Sequence, residues 1–114
     1  MQAPPPVADE TGRLEALRRY EVLETPPEGV LDDLTRIAAY VCQTPIALVT
    51  LVDAQRQWFK SRIGLTLSET PRQLSFCAHA IHAADVYVVE DLGRDEGFAD
   101  HPLVIGDPFI RFYA

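Results

Sequence analysis

Hydrophobic positions along the chain follow two periods, and the switch between them divides it into elements. Leu14, Leu17 and Tyr20 give residues 12–22 an apolar side at helical spacing, while Arg13, Glu15, Arg18, Arg19 and Glu21 fill the other. Thr25-Pro26-Pro27 stops this helix and opens a second, since proline is tolerated in a first helical turn. The second helix, residues 28–43, repeats Leu31, Leu34, Ala38 and Val41, a one-sided stripe suited to a flat partner. Residues 46–52 supply that partner. They read IALVTLV between Pro45 and Asp53, the pattern of a strand covered on both faces. After a turn at 53–56, residues 57–63 alternate Trp58, Lys60 and Arg62 with Phe59, Ser61 and Ile63. The short connection predicts an antiparallel hairpin, with Trp58 packed rather than stacking on a ligand.

The remainder is more broken. Residues 64–74 are polar and contain Pro71, which predicts a loop. Residues 75–83, SFCAHAIHA, predict a short helix with Ser75 as its N-cap. Residues 86–90 read as a third strand, 91–108 as a long acidic loop of the kind that lines sites, and 110–114 as the start of another strand. A strand of β-formers with no partner after it reads as a domain cut off in mid-sheet. The first helix, at about three turns, is below the ~12–15 residues that hold a helix in isolation. It is therefore expected to dock within its own chain, folding back onto Leu31 and Leu34, with Leu17→Asp destabilising the fold.

Composition narrows the partners. The chain has 114 residues, room for one domain, and 47% hydrophobic residues, enough for an ordinary core. Ten Lys plus Arg against seventeen Asp plus Glu leave a net charge of −7, which opposes nucleic-acid binding. No apolar run reaches the ~20 residues of a membrane span. The first eleven residues carry Pro4-Pro5-Pro6 and no signal-peptide pattern, so 1–11 reads as a flexible tail and the protein as cytoplasmic. Cys42 and Cys77 accordingly read as reduced thiols.

Several phrases, in order, carry a resemblance: RLEALRRYEVLETPPE from Arg13, PIALVTLVD from Pro45 and RQWFKSRIGL from Arg56. They continue with ETPRQLSFCAHAI from Glu69, VVEDL from Val88 and FADHPLVIGDPFIRFYA from Phe98. Together they resemble the GAF domain, in the subtype found at the N-terminus of bacterial sensor histidine kinases and diguanylate cyclases. The resemblance implies an α+β fold, an antiparallel sheet flanked by helices that has about six strands in a complete domain, with residues 12–114 forming a C-terminally incomplete one. The alternative is a small α+β domain that closes its own sheet. An open sheet edge, with its unpaired N–H and C=O groups, favours association, so a homodimer is among the expected partners.

The resemblance also implies where a ligand would sit: between the sheet and the layer formed by residues 75–82 and 91–107. Arg72, His79, Asp91 and Arg111 are the polar groups expected to converge there beside Cys77, with Phe76, Phe98 and Phe112 as walls. In phytochrome-type relatives a cysteine followed directly by histidine tethers a bilin. Here Ala78 stands between Cys77 and His79, which disfavours a covalent bilin, and no other cofactor is expected. Two cysteines with His79, His82 and His101 lack zinc-site spacing. Ser75, His79 and Asp91 lack a nucleophile elbow, and Ser75 is more simply a cap.

The function expected from these residues is a sensory or regulatory module of a bacterial signal-transduction protein. It would bind a small molecule or relay a signal to an output domain, without catalysis of its own. The parent would be a histidine kinase or a diguanylate cyclase. The alternative is a thiol-based redox enzyme centred on Cys77, resembling the free-methionine-sulfoxide reductases built on the GAF fold.

Overall fold

A computed structural model describes residues 2–114. It has the α+β architecture expected: helices set against an antiparallel sheet, followed by a stretch of short helical turns. Helix α1, Glu10–Tyr20, starts where the Asp9 carboxylate accepts the Gly12 N–H at 3.2 Å. It ends at Glu21, which takes a left-handed conformation and donates its N–H to the Arg18 carbonyl. Charged side chains anchor it, with Leu14 and Leu17 half-buried beside them. Arg13 Nη1 donates to the Val52 carbonyl at 2.5 Å, and Glu10 pairs with both Arg13 and Arg72. The expected docking onto Leu31 and Leu34 is therefore corrected: Leu34 remains 53% exposed, and polar bonds to the far end of the sheet hold α1.

Helix α2, Gly29–Cys42, packs on strands β1, Ala47–Val52, and β2, Arg56–Ile63. Thr35, not a residue of the expected stripe, is its buried position. Ser61 Oγ donates to Asp32 at 2.6 Å, which leaves the single Thr35 proton to bridge Ser61 Oγ and the Leu31 carbonyl, both at 2.7 Å. A hydroxyl buried between helix and sheet is tolerated because each oxygen finds a partner.

The β1–β2 hairpin is antiparallel as expected, with a bulge. Val49 faces Ser61 but Thr50 faces Phe59, so Lys60 is the extra residue and the alternation resets there. As a result Phe59, Lys60 and Ser61 are all buried in succession. Lys60 is accommodated by three acceptors for its three protons: Thr25 Oγ1 at 2.5 Å, the Pro26 carbonyl at 2.7 Å and Glu28 Oε2 at 3.1 Å. It thereby ties the α1–α2 connection to the sheet. Gly64 closes β2 at φ 83°, where a Cβ would lie 2.0 Å from the Pro45 carbonyl oxygen.

A third strand lies where a loop was expected. Strand β3, Glu69–Pro71, pairs antiparallel with β2, giving the order β1-β2-β3. Pro71 fits because an edge strand has N–H positions that need no partner. The strands expected at 86–90 and 110–114 reduce, among the described residues, to one antiparallel bridge between Val89 and Tyr113. The Arg72–Leu74 turn leads into helix α3, Phe76–Ala80, which packs against β1. A second short turn, Leu92–Arg94, and helix α4, Pro102–Ile105, follow. Phe76, Val89, Leu92, Phe98 and Val104 form the buried apolar cluster of this half. No helix among the described residues is long and apolar enough to cross a membrane.

Candidate functional site

Ser75 sets up the site. Its Oγ accepts the Ala78 N–H at 3.0 Å, capping α3 as expected, and the helix then points Phe76, Cys77 and His79 toward the residues that follow. Phe76 is the hub. Its ring lies 5.2 Å from Phe98 edge-on, 4.3 Å from His101 stacked, and 5.5 Å from Tyr113. His79 meets Phe98 in a T-shaped pair at 4.7 Å, and Tyr87 meets Tyr113 at 6.1 Å. Half-buried Cys77 places Sγ 3.0 Å from the Tyr113 hydroxyl.

Electrostatics follow burial. Desolvation pushes the His79 pKa below its usual 6.5, opposed by the Gln2 backbone and Asp95 and reinforced by His82. Burial first, and the adjoining Cys77 second, push the Tyr113 hydroxyl far above its usual 10, so it remains a phenol and a proton donor. His101 is fixed by two bonds. Nδ1 accepts the Leu103 N–H at 3.0 Å, capping α4, so Nε2 carries the proton and donates to the Leu74 carbonyl at 2.5 Å. One imidazole thereby links α4 to the turn that precedes α3.

The residues singled out from the sequence divide into two groups. Phe76, Cys77, His79 and Phe98 come together. Arg72, Asp91, Arg111 and Phe112 do not join them. Arg72 turns back to Glu10 and the Asp53 carbonyl. Asp91 is the cap of its own turn, accepting the Gly93 N–H at 3.0 Å, with Arg94 at 3.5 Å. Arg111 donates to the Val104 carbonyl at 2.7 Å, closing the end of α4. Phe112 alternates with Tyr113 and stays half-exposed.

Sequence reasoning missed Tyr113, Tyr87 and His101. Period-2 alternation would have found Tyr113, since Phe112 and Tyr113 must face opposite ways. A residue directly before a proline that opens a helix is a cap position, and that signal identifies His101.

Around this cluster lies the N-terminal stretch. Gln2 N donates to the Gly97 carbonyl at 3.1 Å, and His82 Nε2 donates to the Pro5 carbonyl at 3.0 Å, so residues 2–5 lie along α3 and the 95–98 loop. Two surface clefts open elsewhere, one of about 480 Å³ between Pro27, Asp32 and β2, the other of about 400 Å³ between Pro4, Gln55 and Arg72. Neither is lined by Phe76, Phe98, His101 or Tyr113. Among the described residues, no three His, Cys, Asp or Glu gather in a metal-binding group.

Comparison with known proteins gives one informative likeness. Over all 114 residues the chain is 43% identical to a cyclic di-GMP phosphodiesterase of Pseudomonas aeruginosa, of whose length it spans 19%. No family model matches the chain. The likeness corrects the expectation of a chain without catalysis of its own, since the relative it matches is named as an enzyme. That relative is named as a cyclic di-GMP phosphodiesterase, and this chain matches 19% of its length.

Proposed function

We propose that this chain is a regulatory module of a longer protein that acts on cyclic di-GMP, folded as a GAF-like sensory domain, with the cluster around Phe76 receiving the signal. The observation that carries this reading is the end-to-end likeness to 19% of a phosphodiesterase. A stretch of that size, matched over the whole chain, is what a unit shared among larger signalling proteins looks like. The ordered GAF-like phrases and the α+β fold support the finer part of the reading.

The geometry suits reception of a small, largely apolar ligand. Phe76, Phe98 and Tyr113 offer ring faces and edges, and the Tyr113 hydroxyl offers a polar group that stays protonated. Because Phe76 and Cys77 sit on α3, and α3 packs against β1, a ligand parting the rings would move α3 relative to the sheet. His101 passes the same displacement to α4 through Leu74. Coupling of this kind needs the ligand to favour one of two packings of the rings.

The test uses the Pseudomonas phosphodiesterase with its matching segment replaced by this chain. Deleting the segment, or introducing Phe98→Ala, is expected to change the rate of cyclic di-GMP hydrolysis several-fold while leaving KM in place. A rate indifferent to both changes overturns the regulatory reading.

A further inference from the structure

Helix α2 carries an apolar face that the fold leaves uncovered. At 100° per residue, Val30, Leu34, Ile37 and Val41 fall within about 60° of one another around the axis. They are 74%, 53%, 58% and 72% exposed, and Tyr40, at the margin, is 85% exposed. The opposite side of the same helix holds buried Thr35 against Ser61. The helix therefore has one face on the sheet and a second, more hydrophobic one facing outward. Scattered apolar residues are ordinary on a protein surface, but a contiguous stripe of four large aliphatics along three turns is a contact surface.

The spacing of that stripe identifies its occupant. The intervals from Val30 to Leu34 to Ile37 to Val41 are four, three and four, and so read the same in both directions. A second α2 laid antiparallel about a two-fold axis at the helix midpoint sets Val30 against Val41 and Leu34 against Ile37, all four aliphatic. An isologous contact requires this self-complementarity. The five exposed side chains present on the order of 600 Å², near the ~800 Å² per partner that a stable interface buries. We infer that a second copy of this chain covers the face, forming an antiparallel α2–α2 dimer. The contact is apolar while each copy carries a net charge of −7, so moderate salt strengthens it by screening the repulsion.

Sedimentation equilibrium over a concentration series tests the inference on the 114-residue chain. The wild type is expected to sediment as a dimer in the micromolar range, more tightly at 0.3 M than at 0.05 M salt. Ile37→Asp, at an exposed position, is expected to give a monomer with an unchanged circular dichroism spectrum. Orientation is read from disulfide formation in a Cys42→Ser background. A mixture of Leu34→Cys and Ile37→Cys chains is expected to form the mixed disulfide faster than either like-with-like disulfide. A wild type that stays monomeric at millimolar concentration overturns the proposal, as does a dimer insensitive to Ile37→Asp. Preferential like-with-like disulfides overturn the antiparallel arrangement.

Discussion

The Cys77 thiol and the Tyr113 hydroxyl lie 3.0 Å apart, joining α3 to the last residues of the chain across 36 positions of sequence. The phenol is a donor at any ordinary pH, because burial and the neighbouring thiol keep it protonated. Tyr113→Phe removes that donor while keeping the ring beside Phe76. In a Cys42→Ser background, labelling of Cys77 by a disulfide reagent is expected to slow several-fold, because the thiolate that reacts loses a hydrogen-bond donor. Stability should fall by about 1 kcal/mol, the net worth of one hydrogen bond. Labelling kinetics with a urea titration check both. An unchanged labelling rate means that the hydroxyl does not act on the thiol.

Lys60 offers a sharper energetic test. It is an ammonium with only 2% of its side chain exposed, saturated by Thr25, Pro26 and Glu28. Lys60→Met keeps the stem and deletes the charge, leaving the connection before α2 without its tie to the sheet. The expected loss is about 1–3 kcal/mol in urea unfolding at unchanged m-value. Lys60→Arg is expected to fail as a rescue, since a planar guanidinium cannot reach three acceptors disposed around one tetrahedral nitrogen.

Glu10 makes the fold pH-dependent at its N-terminal end. Hydrogen bonds from Arg13 and then Arg72 pull its carboxyl from the usual 4.5 down to about 2. A depressed carboxyl pKa means that the unfolded chain binds the proton first. The stabilisation is complete above about pH 4.5 and is lost as pH falls toward 2. Glu10→Gln is expected to flatten the fall in melting temperature over that window and to lower it at pH 7. Parallel melting curves for the two proteins between pH 5 and 3 would refute this role.

Much of this architecture was legible in the sequence, and the exceptions share a cause. Helix α2, the β1–β2 hairpin and the Ser75 cap follow from periodicity and capping chemistry, which act within a few residues. The bulge at Lys60 does not, because a period-2 pattern has no mark for an inserted residue; only the acceptors from Thr25 to Glu28 make burying Lys60 tolerable. Nor does the buried side of α2. With Val30, Leu31, Leu34, Ile37, Ala38 and Val41 all apolar, the pattern leaves the phase of the helix undecided, and Thr35 finding Ser61 decides it. Strand β3 was hidden by Pro71, which signals a loop unless the strand lies at an edge. At the site, Phe76, Cys77, His79 and Phe98 were legible as chemistry. Arg72, Asp91 and Arg111 were misplaced because each is claimed by a nearer backbone carbonyl, backbone N–H or charge.

His101 separates capping from bridging within one side chain. Its Nδ1 caps α4 through the Leu103 N–H, its Nε2–H reaches the Leu74 carbonyl, and it is only 1% exposed. His101→Ala loses the cap, the bridge and the stack on Phe76 together, with an expected cost of about 2–4 kcal/mol. His101→Asn can restore the cap, since its short carbonyl accepts the same N–H, but it cannot span to Leu74. It is therefore expected to recover about 1 kcal/mol of that loss. Hydrogen exchange distinguishes the two parts. Amides of α4 should regain protection in His101→Asn, while the Ser75 and Phe76 amides, beyond the lost bridge, should exchange as fast as in His101→Ala. Equal recovery in both segments would mean that α3 does not depend on the Leu74 contact, and that the imidazole serves α4 alone.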